Sequence, residues 1–357
     1  MHKSAIIGYG GMASEIHHHK VADSLGEIIE VAGVWDVRKE RRDCAAAEGL
    51  KVYESLEELL GDPTTDIVVV ATPNDSHKQF SIAALKAGKH VVCEKPVMMN
   101  CGELEETLIV ARSVGKIFSA HQNRRWDKDF LMVKEVLSKG TLGKPFYIES
   151  RVMGHNGCPR GWRAYPQHLG GMLVDWGVHL VDQLICLMPQ SKIKTIYATM
   201  LKVRENTLVD DNLKIAMAFD NGVHATVEVN TNLFIDLPLW FVCGHDGTMV
   251  INNWDCEGKI VCDRGDTRQT EEFITYPGGI PTVNTVSRTV ENLIEYPLPD
   301  IQGDVKDMWM NFYRNFVAAI EGREPQNVTH EQMMRVMKVL EAARKSSDEG
   351  RSIECGI

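Results

Sequence analysis

No pair of cysteines stands in a C-x-x-C arrangement. The nine cysteines (44, 93, 101, 158, 186, 243, 256, 262 and 355) are scattered and odd in number, which excludes a zinc ribbon, offers no disulfide framework and points to a reducing compartment. Surplus positive charge is missing too. With 39 lysines and arginines against 49 aspartates and glutamates the net charge is -10, so a nucleic-acid partner is excluded and a small molecule is the expected one. No apolar run approaches the ~20 residues of a membrane span, and no basic-then-apolar leader precedes the first strand pattern at Ser4. From this we expect no membrane association and a cytoplasmic location. Internal repeats and low-complexity segments are absent as well.

What is present is ample core. Hydrophobic residues make up 44% and charged residues 25% of 357, in a chain long enough to divide into two domains. The apolar run from Val91 ends abruptly in Glu94-Lys95-Pro96. A strand that delivers a lysine to its end, with a proline to stop it, holds a titratable amine on rigid backbone. Glu94 has three available roles: neutralising the lysine, contacting a cofactor, or capping the next turn.

Ser4 to Ile7 is strand-like and passes into Gly8-Tyr9-Gly10-Gly11-Met12-Ala13, a G-x-G-x-x-A pattern. In such a pattern Gly8 makes the tight turn, Gly10 lets backbone approach a pyrophosphate, and Ala13 lets the following helix pack closely, its N-terminus facing the phosphates. Val31 to Trp35 reads as the second strand and ends in Asp36, at the distance of a ribose-binding carboxylate. Asp36 favours NAD by repelling a 2′-phosphate. Arg38, Lys39, Arg41 and Arg42 follow and would answer one, so NADP remains possible.

The run Asp66 to Ala71 suits the centre of a parallel sheet, and in Thr72-Pro73-Asn74-Asp75-Ser76-His77 the proline forces an extended turn. Asn74 or Asp75 is expected to cap the helix reaching Gly88. His17, His18 and His19 lie inside the first helix, where consecutive positions point apart, so no metal is expected there, nor at His155, Cys158 and His168.

Alternating strands and helices up to residues 116–120 predict a doubly wound sheet with its ligand at the carboxyl ends of the strands. From Phe146 the pattern changes to strands joined by hairpins, with Asn221-Gly222 and Asp246-Gly247 as turns. The expected fold is therefore α/β. A Rossmann dinucleotide-binding domain covers residues 1–121, and an α+β domain with a large, mostly antiparallel open sheet covers 122–357. Residues 265–300 read as loop, and 307–321 and 330–346 as helices.

A second cluster lies at Gly170 to Asp182. On a helix, Asp175 and His179 share a face, as do His179 and Asp182, so an imidazole flanked by two carboxylates is expected, fit for proton transfer. A core histidine is the alternative. Arg163 lies in a polar loop just before it, either closing over a substrate or simply exposed.

Asp175-Trp176-Gly177-Val178-His179-Leu180-Val181-Asp182 resembles the D-x-G-x-H-x-x-D segment of the Gfo/Idh/MocA oxidoreductases. The G-x-G-x-x-A loop, Ala71-Thr72-Pro73-Asn74 with His77, Glu94-Lys95-Pro96 and the terminal helical segments match in order and spacing. Asn123-Arg124-Arg125-Trp126-Asp127 looks most like the members acting on inositols and sugars. The resemblance implies a catalytic set of Lys95, Asp175 and His179 that also binds the substrate, and the loop reading adds Arg163 as a candidate substrate contact. It implies cofactor contacts from Gly8, Gly10, Gly11, Met12, Ala13, Asp36, Arg38, Thr72, Pro73, Asn74, His77, Glu94, Lys95 and Asn123. It also implies hydride transfer between NAD(P) and a secondary hydroxyl of a sugar, cyclitol or related polyol, and a homodimer or homotetramer formed through the C-terminal sheet. Lys95, its pKa lowered near a charged nicotinamide, or His179 would be the base, and Asp175 would orient the imidazole. Two alternatives are a glycoside-cleaving enzyme that oxidises a ring carbon transiently and a non-catalytic NAD(P) sensor.

Overall fold

Ile67–Val70 is buried at all four positions, as a strand covered by helices on both faces must be, and forms β4 inside a six-stranded sheet. The computed structural model describes residues 1–263, 273–274, 282–283 and 293–357. Around β4 lie β1 (His2–Ile7), β2 (Ile29–Trp35), β3 (Lys51–Val52), β5 (His90–Cys93) and β6 (Phe118–Ala120). Their order is β3-β2-β1-β4-β5-β6, every pairing parallel. The chain reverses direction across the sheet between β1 and β4, so a crevice opens at the carboxyl ends of those two strands. Gly8 sits there with φ +90°, and a Cβ on it would lie 2.8 Å from Thr72 Cγ2 and 2.9 Å from Ala71 O, a space only glycine leaves free.

The connections are α1 (Ala13–Lys20, continuing as Val21–Leu25), α2 (Lys39–Ala47), α3 (Leu56–Gly61), α4 (His77–Lys86) and α5 (Cys101–Ser113). The first eight residues of α1 are wound as a π-helix, wider than the α-helix the sequence suggests. Neither Asn74 nor Asp75 caps α4. Asn74 instead donates to the carbonyls of His168 (3.0 Å) and Leu169 (3.3 Å), and Asp75 pairs with His168 at 2.8 Å, so this turn fastens the two domains together.

After α6 (Lys128–Ser138) come β7 (Pro145–Met153), α7 (Leu173–Gly177, continuing as Val178–Leu187), β8 (Ile193–Leu201), β9 (Asn212–Phe219) and β10 (His224–Asn230). They are followed by β11 (Trp240–Gly244), β12 (Gly247–Ile251) and β13 (Gly258–Asp263). Beyond these are β14 (Phe273–Ile274), β15 (Thr282–Val283), β16 (Leu293–Tyr296), α8 (Val305–Ile320), α9 (His330–Glu349) and β17 (Ile353–Glu354). The nine-stranded sheet has the order β16-β13-β12-β11-β7-β10-β9-β8-β17 and is antiparallel except between β7 and β10.

The expected loop at 265–300 needs correction, because β16 lies inside it and pairs with β13. As an edge strand with no buried position, it carries no alternating pattern to betray it. Apart from β14 and β15, which pair with each other, 264–292 lies outside the described residues. Among the described residues no helix is long and apolar enough to cross a membrane.

Candidate active site

β5 ends at Cys93, so Lys95 leaves the sheet at its carboxyl edge, only 8% exposed. Its Nζ donates to Asp175 twice, to the backbone carbonyl at 2.7 Å and to Oδ1 at 2.9 Å. Arg163 Nε donates to the same Oδ1 at 3.2 Å, which brings the Arg163 loop into the site. Burial alone would raise the pKa of Asp175, but the charges of Lys95 and Arg163 prevail and lower it.

Local geometry fixes where Asp175 stands. Asp210 accepts from Leu173 N at 2.7 Å through its carboxylate and from Met172 N at 3.0 Å through its carbonyl, pinning the start of α7. A Cβ on Gly171, whose φ is +108°, would fall 2.1 Å from Asp210 Oδ1, so the cap and the glycine require each other.

The expectation that two carboxylates flank His179 is corrected. The first turn of α7 is π-wound, which spoils the four-residue register between Asp175 and His179, and no hydrogen bond joins them. Asp182 turns away altogether and accepts from Arg125 Nε and Nη2, both at 2.7 Å, while Arg125 also reaches Asn327 O and Gln332 Oε1. The bidentate pair anchors α7 to the 123–126 turn, and through its Nη1 Arg125 ties both to the start of α9. His179 is 4% exposed, and its Nδ1 has no hydrogen-bond partner among the described residues. Burial, with Lys95 and Arg124 nearby, holds its pKa well below the ordinary histidine value, so the imidazole is neutral.

Glu94 has a role sequence reasoning missed. Its Oε1 accepts from His17 Nε2 and from His121 Nδ1, both at 2.8 Å, and Oε2 accepts from Lys95 N at 3.1 Å. His17 Nδ1 lies 2.6 Å from the Tyr313 hydroxyl. Burial would raise the pKa of Glu94, but the imidazoles of His121 and His17 hold it well below the carboxylate range. The signal was the histidine tract. His17 turns inward to Glu94, whereas His18 and His19 both reach Glu48, at 3.3 and 2.8 Å, so those two point together and not apart as expected. Each group places its possible ligand atoms within 4.8 Å of one another.

The crevice residues are built as a dinucleotide site requires. Asp36, at the end of β2, accepts from Tyr9 N at 2.7 Å and Arg38 N at 2.8 Å, tying the glycine loop to the second strand. A Cβ on Gly10 or Gly11 would meet no atom within 4 Å, leaving the loop backbone open to a ligand. These residues fit a nicotinamide dinucleotide, with Asp36 at the ribose and the loop at the pyrophosphate. His77 departs from expectation. It is fully buried between Thr72 O (2.9 Å) and Pro96 O (3.0 Å), so it ties together the ends of β4 and β5 and does not face the crevice.

Met12, Asn123, Lys95, Asp175, His179 and Arg163 all line one chamber of about 370 Å³. We expect Glu94→Gln to lower stability by about 1–3 kcal/mol, because the amide nitrogen must face a donor where Oε2 now accepts. Urea unfolding of the two proteins tests this, and an unchanged midpoint would show that the network around Glu94 carries no such load.

Residues 2–122 match the NAD-binding Rossmann-fold model of the Gfo/Idh/MocA oxidoreductase family, and residues 134–355 match its C-terminal alpha/beta domain. The scyllo-inositol 2-dehydrogenase (NADP(+)) IolW of Bacillus subtilis is 27% identical, covering 98% of this chain and 95% of its own. The myo-inositol 2-dehydrogenase of Thermotoga maritima is also 27% identical over 89% of each. Among solved structures, an NAD-binding protein from Listeria innocua is 40% identical with a TM-score of 0.86, covering 99% of this chain and 96% of that one. A dinucleotide crevice, a lysine at the end of β5 and both family domains along nearly the whole length agree: the chain belongs to the Gfo/Idh/MocA oxidoreductase family and is an NAD(P)-dependent dehydrogenase.

Proposed function

We propose that this dehydrogenase oxidises a secondary hydroxyl of a sugar, cyclitol or related polyol, with Lys95, Asp175 and His179 as its catalytic set. The observation that carries the proposal is their convergence with Asn123 and Met12 on one chamber beside the dinucleotide crevice. Two relatives, a scyllo-inositol and a myo-inositol dehydrogenase, support the same substrate class.

The bound nicotinamide supplies the hydride acceptor or donor, and the remaining work falls to side chains. His179, neutral because it is buried, is the group able to take the hydroxyl proton. Lys95 already gives two hydrogen bonds to Asp175, and its third proton is left to hold the reacting oxygen. Asp175, kept ionised by Lys95 and Arg163, accepts from a neighbouring hydroxyl. Met12 and Trp176 give the chamber apolar wall. Asp36 favours NAD at the ribose, whereas Arg38 beside it would tolerate the phosphate that the Bacillus relative's cofactor carries.

Two further parts of the proposal rest on the surface and on the cysteines. The sheet face turned away from α9 exposes Tyr197 and Leu201, which supports a homodimer or homotetramer joined through that face. All nine cysteines are free, which supports a reducing compartment such as the cytoplasm.

Lys95→Ala and His179→Ala should each lower turnover by roughly 10²–10⁴-fold while leaving NAD binding nearly intact; near-normal turnover in either would refute its assigned role. Because the pKa of His179 is depressed, the base is lost only well below pH 6.5, and kcat/KM for oxidation should show no acid limb near that pH. An acid limb at pH 6.5 that vanishes in His179→Ala would contradict this. Dissociation constants for the two cofactors should favour NAD, and a clear preference for NADP would show that Arg38 outweighs Asp36. Light scattering should return a mass at least twice that of the chain, and a monomer would rule out the sheet interface.

A further inference from the structure

Two of the three histidines in the 17–19 tract take no part in the chemistry proposed above. His17 turns inward to Glu94, while His18 and His19 both reach Glu48, the residue that follows α2. No metal is expected at this tract if neighbouring positions point apart, and the π-wound turn over Ala13–Lys20 removes that objection. A π-helix takes more residues per turn than an α-helix, so successive side chains diverge by a smaller angle. The rings of His18 and His19 stand side by side, their centroids 4.5 Å apart. We propose that His18, His19 and Glu48 form a zinc site that fastens α1 to the end of α2.

The donor set is the first argument. Two imidazole nitrogens and one carboxylate oxygen, with a water in the fourth position, are a set that zinc takes in open sites. With bonds near 2.0–2.1 Å, the ligand atoms around a tetrahedral zinc lie roughly 3.3 Å apart. Here His18 Nδ1 is 3.3 Å and His19 Nε2 is 2.8 Å from Glu48 Oε2, and the three atoms all lie within 4.8 Å of one another. The cluster has only to widen slightly on the His19 side to admit the ion.

Access is the second argument, and it separates this group from the other histidine cluster. The side chain of His19 is half exposed and that of Glu48 about a third, so an ion has a path from solvent. His17, Glu94 and His121 also gather three donors, but both imidazoles there are fully buried and Glu94 already accepts from His17, His121 and the amide of Lys95. That group is closed and its hydrogen bonds are complete around Glu94.

The third argument is the support behind the ligands. The Tyr9 hydroxyl donates to Glu48 Oε2 and lies 2.7 Å from His18 Nδ1, an outer contact of the kind that orients metal-binding side chains. Zinc takes the Nδ1 lone pair once the imidazole proton moves to Nε2, and Tyr9 keeps its bond to the carboxylate. Tyr9 is itself 1% exposed, and its amide donates to Asp36, so the site is backed by a residue fixed in the glycine loop.

The test titrates zinc chloride into the metal-free full chain with its thiols kept reduced, by calorimetry, and compares thermal melts with and without zinc. Wild type should take up one more equivalent than the His18→Ala/His19→Ala double variant or Glu48→Gln. Zinc bound elsewhere, at cysteines for example, is common to all three and cancels. Because an ion held by the folded state stabilises it by mass action, zinc should raise the melting midpoint of wild type above any shift it causes in the variants. His19→Ala alone, at a half-exposed position that leaves the core in place, should weaken the site at least about tenfold. Magnesium, which prefers oxygen ligands, should do none of this. Equal zinc uptake by wild type and both His19→Ala and Glu48→Gln, an equal rise in midpoint in those variants, or the same rise with magnesium would overturn the proposal.

Discussion

An ammonium group almost wholly withdrawn from water must be given acceptors, and the acceptors for Lys95 come from the other domain. This single requirement ties the end of β5 to the first turn of α7. Much else follows from it: the glycine at 171, the cap from Asp210, and the Arg125–Asp182 pair that fixes α7 from its far side. A buried pair of that kind is costly to break and so holds the helix in one place.

Around that contact the charges are matched in sign with care for who stays neutral. Asp175 answers Lys95 and Arg163, Asp127 answers Arg124, and Glu94 is served by imidazole N–H groups and a backbone amide. His179, in contrast, is buried near Lys95 and Arg124 and makes no hydrogen bond to a carboxylate among the described residues. A histidine with an aspartate at its back would hold its proton more tightly; without one it remains free to take a proton.

The first domain was largely legible from sequence because its signals are local. A glycine loop, an acid after β2 and a lysine after β5 each sit within a few residues of the strand they end, and parallel pairing brings those ends to one edge. The second half of the site was legible in its residues but not in its geometry. Lys95, Asp175, Arg163 and His179 do share a chamber, yet the π-wound turns at Leu173–Gly177 and Ala13–Lys20 shift the faces that regular helical spacing assigns. Contacts such as His17 with Tyr313 join residues far apart in the chain, and nothing in the neighbourhood of either foretells them. The edge strand β16 was invisible for a different reason, since a strand with no buried face has no pattern to show.

The lone parallel contact in the large sheet, between β7 and β10, has a bearing on how this site can change. Because β8 and β9 return antiparallel beside β10, β8 runs in the same direction as β7, and the chain must pass between them by a long crossover, residues 154–192. Arg163, Asp175 and His179 all lie on that crossover and none lies on a strand. Insertions or substitutions there alter what the chamber accepts without moving the register of any ladder, so substrate choice and sheet integrity are free to vary separately.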